Sequence, residues 1–114
     1  MSECLFCKIG SGQIPAKIVL QDDEILAFED VNPQAPVHVL VIPKRHMEGL
    51  SDTKPGDKAF LGHLFEAAIR VAEKKGITDS GYRVVANQGR NGGQTVFHLH
   101  LHVLGGRQMT WPPG

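Results

Sequence analysis

The run His98–Leu104 reads His-Leu-His-Leu-His-Val-Leu, with histidines at positions 98, 100 and 102 and two apolar residues at its end. Successive side chains of an extended strand point to opposite faces of a sheet. We therefore predict a strand over residues 97–104 whose three histidines share one face and whose apolar residues face a core. This need for a sheet with a covered face constrains the fold more than any other feature.

The rest of the chain predicts an α+β fold with about five strands and one major helix. Apolar residues recur at helical spacing between Asp57 and Lys75, which predicts the long helix. Apolar and β-branched runs bounded by turn-forming residues predict the other strands, the first two joined as a hairpin. These predicted strands are residues 18–20, 25–28, 37–42 and 82–86.

Composition argues against several classes of function. At 114 residues the chain fits one domain, residues 1–114, with a single core. Its 12 Lys and Arg residues balance 12 Asp and Glu residues, so the protein has no net positive charge that would attract nucleic acid or an anionic membrane. The first residues form no signal sequence, and no apolar run reaches the length of a membrane span. We therefore expect a soluble cytoplasmic protein.

Three interpretations of the histidine run are open. Ordinary exposed histidines are the first, but histidine is not a favoured strand residue. A metal site is the second, although three histidines in a row span roughly 13 Å, so at most two can bind one ion. The third is nucleophilic catalysis, in which an imidazole attacks phosphorus while an acceptor holds its other nitrogen. This last interpretation uses all three rings, with His100, flanked on both sides, as the attacking group.

The loop before this strand supports the nucleophile interpretation. Residues 89–95 read Gly-Arg-Asn-Gly-Gly-Gln-Thr. Glycines allow backbone N–H groups to point at an anion, and the hydroxyl of Thr95 lies beside them. A glycine-rich connection alone is a weak signal, but next to a histidine run it predicts a phosphate site.

The run His98–Leu104 is also the His-x-His-x-His signature followed by two apolar residues, and the chain resembles the histidine triad (HIT) superfamily. It is similar to the branch of histidine triad nucleotide-binding proteins over nearly its whole length. The resemblance implies a HIT-like fold, an antiparallel sheet of about five strands with one long helix and a short N-terminal helix. The other matching segments are Ile14-Pro15-Ala16-Lys17, Ala27-Phe28, Asp30, Pro33-Gln34-Ala35-Pro36, Val41-Ile42-Pro43-Lys44, Gly81-Tyr82-Arg83, Asn87, Gly92-Gly93-Gln94 and Leu104-Gly105-Gly106-Arg107.

This resemblance implies hydrolysis of purine nucleoside phosphoramidates through a covalent nucleotidyl-histidine intermediate, without a cofactor for catalysis. His100 matches the nucleophile, His38 and His102 match the flanking imidazoles, and His98 completes the triad. The implied nucleotide contacts are Asp30 for the ribose, Asn87, Gly93 and Thr95 for the phosphate, and Leu5, Phe6, Phe28 and Val31 for the base. Thr95 stands where many members of this branch carry serine, so the hydroxyl is kept.

Cys4 and Cys7 form a Cys-x-x-Cys pair, which in a reducing compartment suggests half of a metal site or a redox pair. Relatives that carry this pair bind a structural zinc, and the ligands that the resemblance implies here are Cys4, Cys7, His46 and His98. The resemblance also implies a homodimer whose C-terminal tail reaches the neighbouring active site. Trp111 would then shape the preference for the leaving group.

Three other functions compete with this one. The chain is a non-catalytic nucleotide-binding module if the histidines only hold a phosphate, and a metal-dependent hydrolase if zinc sits on the triad. It is a thiol redox protein if the Cys-x-x-Cys pair is the reactive centre, although no thioredoxin-like strand and helix surround that pair. Turnover that is lost in His100→Ala while nucleotide binding persists argues against the first, and full activity in excess chelator argues against the second.

Overall fold

The computed structural model describes residues 3–114. Its five strands form one antiparallel sheet in the order β1-β2-β3-β5-β4, and two short 3₁₀ turns, Leu50–Asp52 and Pro55–Asp57, precede the long helix. This arrangement confirms the predicted α+β fold with one long and one short helix. The elements are α1 Leu5–Gly10, β1 Ile18–Gln21, β2 Ile25–Glu29, β3 Val37–Pro43, α2 Lys58–Lys74, β4 Tyr82–Val85 and β5 Leu101–Gly105.

Alternation along the central strands divides the apolar residues between the two faces of the sheet. The face that packs against α2 carries the odd-numbered residues Ile25, Ala27, Val39, Val41, Leu101 and Val103. The opposite face carries the even-numbered residues Leu26, Phe28, Leu40 and Ile42, which pack against Phe6 of α1. Each face of the sheet is therefore covered, one by the long helix and the other by the short one.

The helix predicted between Asp57 and Lys75 is confirmed as α2. Its buried residues recur at spacings of one, three and four, which is the pattern of a helix with one apolar face; they are Leu64, Ala67, Ala68, Val71 and Ala72. The chain leaves this helix through Gly76, whose φ of +72° favours glycine. Within residues 3–114, no helix is long and apolar enough to cross a membrane.

The strand predicted over residues 97–104 is shorter than expected and begins at Leu101. The neighbouring β3 ends at Pro43, which has no N–H to contribute to a ladder. The N–H of Leu99 donates instead to the carbonyl of Met47, at 2.6 Å. The other four predicted strands agree with the structure to within one residue at each end.

Only His102 of the three histidines therefore lies within β5, while His98 and His100 lie in the bent segment before it. The alternation of faces nevertheless continues through that segment. Leu99 belongs to the core beneath α2, whereas the rings of His98 and His100 both contact the ring of Phe6 on the opposite face. The predicted separation of histidines from leucines is confirmed even where the ladder is absent.

Candidate active site

A cavity of about 650 Å³ opens on the α1 face of the sheet, and its wall combines apolar side chains with three histidines. His38 reaches it from β3, His102 from β5 and His100 from the segment before β5. Asp30 and Thr95 add polar groups to the same wall. Concave sites that are largely apolar and carry a few convergent polar groups are typical of small-molecule binding.

The structure brings most of the predicted site residues to this wall. The predicted base contacts Leu5, Phe6, Phe28 and Val31 all line it, with Phe6 and Phe28 in edge-to-face contact at a centroid distance of 5.5 Å. Among residues 3–114, the wall does not include His98, Asn87, Gly93 or Trp111, and Trp111 is 82% exposed.

Other wall residues were not predicted from the sequence. The apolar ones come from α1, from the segment after it, from β3 and from the loop before β5; they are Ile9, Ile14, Pro15, Ala16, Leu40 and Val96. A sequence signal existed for Leu40, because it alternates with the core residues of β3 on the same face as Phe28. The segment after α1 has no periodic pattern that could have indicated its contact with the cavity.

The ring of His100 is held by the backbone of the residue two positions earlier. Its Nδ1 lies 2.7 Å from the carbonyl oxygen of His98, and the ring is buried. A carbonyl oxygen can only accept, so Nδ1 carries the ring proton and Nε2 keeps a lone pair. The ring of Phe6 stands edge-on against this imidazole at 5.2 Å. A neutral imidazole in a fixed orientation, with a lone pair available at Nε2, is the form that acts as a nucleophile.

His38 and His102 form a second pair of oriented rings. The backbone N–H of Gln34 donates to Nδ1 of His38 at 2.9 Å, so the proton of the neutral His38 ring is on Nε2. That Nε2 lies 2.9 Å from Nδ1 of His102 and 3.4 Å from a carboxylate oxygen of Asp30. His102 therefore accepts at Nδ1 and has its own N–H at Nε2.

Burial keeps these two rings neutral. Desolvation is the largest effect on His102 and, with the neighbouring rings of His100 and His38, lowers its pKa to about 4. Desolvation also lowers the pKa of His38, against an opposing contribution from the Asp30 carboxylate. Near neutral pH, His102 is thus a neutral hydrogen-bond donor rather than a cation.

The predicted metal ligands meet at one point beside this site. Nδ1 of His98 lies 3.3 Å from Sγ of Cys4 and 3.5 Å from Sγ of Cys7, and Nδ1 of His46 lies 3.3 Å from Sγ of Cys7. In tetrahedral zinc sites, sulfur and nitrogen ligand atoms stand about 3.5 Å apart. Nε2 of His98 bonds to the carbonyl of Pro43 at 2.8 Å, which leaves the lone pair of its Nδ1 facing the sulfurs. The donor set fits a closed structural zinc site.

A second group, Asp30, His38 and His102, also brings three ligand atoms within 4.8 Å of one another. The His38 tautomer does not suit a metal ligand. Because Gln34 donates to Nδ1, Nε2 of His38 carries a proton and has no lone pair to offer an ion. We therefore interpret this group as a hydrogen-bonded chain.

The glycine-rich loop is closed from within by Gln94, which is only 6% exposed and was not predicted as a functional residue. Its Oε1 accepts from the N–H of Gly89 at 2.8 Å. Its Nε2 donates to the carbonyls of Glu48 and Val96, at 2.6 and 3.2 Å. This side chain ties the predicted phosphate loop to the segment that carries His46.

Comparison with known proteins agrees with this geometry. Residues 11–109 match the family model of the HIT domain. An uncharacterised HIT-like protein of Synechocystis is 57% identical over 112 residues, which cover 98% of this chain and 97% of that protein. The crystal structure of a HIT family hydrolase from Legionella pneumophila has a TM-score of 0.96 at 51% identity, covering 98% of this chain and 100% of that one. A HIT family hydrolase from Clostridium thermocellum has a TM-score of 0.93 at 44% identity, over 96% of each chain.

Proposed function

This chain belongs to the HIT domain family, and from that membership we propose that it hydrolyses purine nucleoside phosphoramidates, as a member of the histidine triad nucleotide-binding branch. The observation that carries the proposal is the 2.7 Å contact between Nδ1 of His100 and the carbonyl of His98. It leaves the Nε2 lone pair of a buried imidazole in a cavity that also holds hydrogen-bond donors and an apolar wall.

In the first step, Nε2 of His100 attacks phosphorus and the P–N bond breaks. The leaving nitrogen takes the electron pair of that bond and a proton from solvent, and departs as an amine. His100 becomes a nucleotidyl-imidazolium whose positive charge is stabilised by the carbonyl of His98 against Nδ1–H. In the second step, water attacks phosphorus, His100 regains its lone pair, and the nucleoside monophosphate forms with release of a proton.

The other wall residues provide binding and orientation. The Nε2–H of His102 and the hydroxyl of Thr95 are donors suited to the non-bridging oxygens of a phosphoryl group. Asp30, an acceptor on the same wall, suits the ribose hydroxyls. The purine packs between the apolar side chains, with Phe6 and Phe28 providing the aromatic surface. For Asn87 and Gly93, the proposed phosphate contact depends on the loop closing over bound nucleotide.

The test uses an adenosine phosphoramidate with a fluorescent amine, whose release is followed in wild type and in His100→Ala. We expect wild-type turnover and a loss of at least about 10³-fold in the variant, because the covalent route needs this nitrogen. Rapid quenching and intact-mass spectrometry should detect a nucleotidyl adduct on wild type only. The matched control is His63→Ala, which removes a histidine on α2 that does not line the cavity.

Two outcomes separate this proposal from a nucleotide-binding module. Binding of AMP to His100→Ala with loss of turnover supports catalysis by this ring. A wild type that binds AMP but releases no amine contradicts it and favours the binding module. Activity should also persist in excess chelator at temperatures well below the melting transition, since no catalytic step uses a metal.

We further propose that the cluster of Cys4, Cys7, His46 and His98 binds a structural zinc. A zinc there would supply no chemistry to the reaction but would tie α1 to the segment that orients His100. Both thiols must be reduced to act as ligands, so we place the protein in a reducing compartment, the cytoplasm.

We also propose that the protein is a homodimer. Phe65 and Ile69 lie four residues apart on the outer surface of α2 and are 46% and 42% exposed. The strand β4 lies at the edge of the sheet, where a second copy can extend the ladder. In a dimer the exposed Trp111 can reach the neighbouring cavity. Sedimentation equilibrium should show two chains per particle, with dissociation in Phe65→Glu.

A further inference from the structure

One exposed arginine connects the C-terminal tail, residues 106–114, to the β2–β3 loop, residues 30–36. Nε of Arg107 donates to the carbonyl of Gln34 at 3.0 Å, while its Nη1 donates to the carbonyl of Gln108 at 3.2 Å. A single guanidinium therefore joins one carbonyl of the loop to one carbonyl of the tail.

The same two segments also touch beside this contact. Gly106 has a φ of +90°, and a Cβ built there would stand 2.9 Å from Cβ of Pro36. The four residues from Val31 to Gln34 are exposed, so burial contributes little to holding this part of the loop. Its conformation therefore depends on a few hydrogen bonds, which include those to His38 of β3 and the one from Arg107 of the tail.

Gln34 also favours one tautomer of His38, together with the Asp30 carboxylate 3.4 Å from Nε2. Its N–H donates to Nδ1 of His38, which places the ring proton on Nε2, directed at Nδ1 of His102. A chain of contacts thus runs from Arg107 to the Gln34 carbonyl, along the backbone of Gln34 to its N–H, and through His38 to His102. Every contact along it is 3.0 Å or shorter.

We propose that Arg107 is a positioning residue for the hydrolytic site, which keeps Gln34 against His38 and thereby holds His38 in the Nε2–H tautomer. Its effect on turnover rests on the proposed function, but its effect on the tautomer does not. Arginine suits this role because its planar guanidinium directs donors to two carbonyls at fixed angles, which the single ammonium of lysine cannot reproduce.

If Gln34 moves away from His38, the donor that His102 offers to a bound phosphate is lost. Without the Gln34 N–H, the proton of His38 can move to Nδ1, and Nε2 then becomes an acceptor facing His102. The most favourable response of His102 is to carry its own proton on Nδ1, which leaves a lone pair at Nε2 where a phosphate oxygen needs a donor. The chemical step then loses stabilisation while the apolar base contacts remain.

The experiment compares wild type with Arg107→Ala and Arg107→Lys, and uses Arg83→Ala as the matched control. Arg83 also holds the tail, through the carbonyl of Thr110 at 2.9 Å, but it does not contact Gln34. The two readouts are long-range ¹H–¹⁵N spectra of the histidine rings and steady-state kinetics with the adenosine phosphoramidate.

For wild type and Arg83→Ala we expect a His38 spectrum of the pure Nε2–H tautomer. Both Arg107 variants should give averaged ¹⁵N shifts for His38 and His102, with kcat lower by about tenfold and KM within about twofold. An unchanged His38 tautomer in Arg107→Ala would overturn the proposal, as would an equal loss of kcat in Arg83→Ala. If wild type has no turnover, the proposed function fails, and the spectra still decide the role of Arg107.

Discussion

The buried imidazoles should make this protein lose stability in mild acid, and His102 should account for a measurable part of the loss. Its pKa falls from 6.5 to about 4 on burial. A histidine in the unfolded chain titrates near 6.5, so as pH falls the unfolded state takes up a proton first. The stability that the neutral ring contributes is therefore present above pH 6.5 and is lost as pH falls toward 4.

The size of this effect follows from the two pKa values. Proton linkage for a single group with these values gives a loss of about 2 kcal/mol between about pH 7.5 and about pH 5. The lowered pKa of His38 acts in the same direction, so wild type should lose more than this amount. In His102→Gln the amide oxygen can still accept from His38, but the side chain no longer titrates.

Urea unfolding at the two pH values, with excess chelator in every sample, measures the difference directly. We expect the free energy of unfolding of His102→Gln to fall by about 2 kcal/mol less than that of wild type. His63→Gln removes a partly exposed histidine of α2 that pairs with Asp22 at 2.7 Å, so it should lose at least as much stability as wild type over the same pH range. If His102→Gln and wild type lose stability equally, to within about 0.5 kcal/mol, the buried neutral ring is not the cause.

Two further predictions concern the structures around the cavity. Gln94→Leu leaves one N–H and two carbonyls without their partner, so it should cost about 2–4 kcal/mol in urea unfolding and weaken AMP binding. Gln88→Ala removes an exposed amide that accepts one hydrogen bond, from the N–H of Ser51, and should cost less than about 1 kcal/mol. Purified wild type should contain one zinc per chain by elemental analysis, and the double variant Cys4→Ser and Cys7→Ser should lose it and melt roughly 5–15 °C lower. A wild type without zinc, or an unchanged melting temperature, would contradict the metal site.

Periodic patterns in the sequence predicted the elements that build the site. The helical spacing in α2, the apolar runs of β2 and β3 and the alternation in β5 depend only on which side chains face a core, so all three can be inferred without coordinates. The same alternation placed His98, His100 and His102 opposite Leu99. The start of β5 could not be inferred in this way, because it depends on Pro43 at the end of another strand and on the carbonyl of Met47.

The walls of the cavity were only partly predictable. Phe6 and Phe28 were indicated by family resemblance, but the segment Ile14–Ala16 reaches the cavity through an irregular path with no periodicity of its own. Gln94 was visible as part of a matching motif, yet the three contacts that give it a structural role are all with backbone atoms. A sequence identifies the side chains but does not give the positions of backbone carbonyls, so a role that depends on contacts with the backbone can be recognised only in the folded structure.

This limit applies most directly to the histidines, because backbone atoms decide what each ring can do. The carbonyl of Pro43 holds the proton of His98 on Nε2, so the Nδ1 lone pair of His98 faces the cysteines. The carbonyl of His98 holds the proton of His100 on Nδ1, so the lone pair of His100 is on Nε2. The amide of Gln34 gives His38 the proton arrangement opposite to that of His100, and His102 accepts the His38 proton at its Nδ1. Four identical side chains thus acquire the proton arrangements that the proposed roles of ligand, nucleophile, relay and donor require. Substitutions that shift these backbone groups should therefore alter the chemistry while every histidine stays in place.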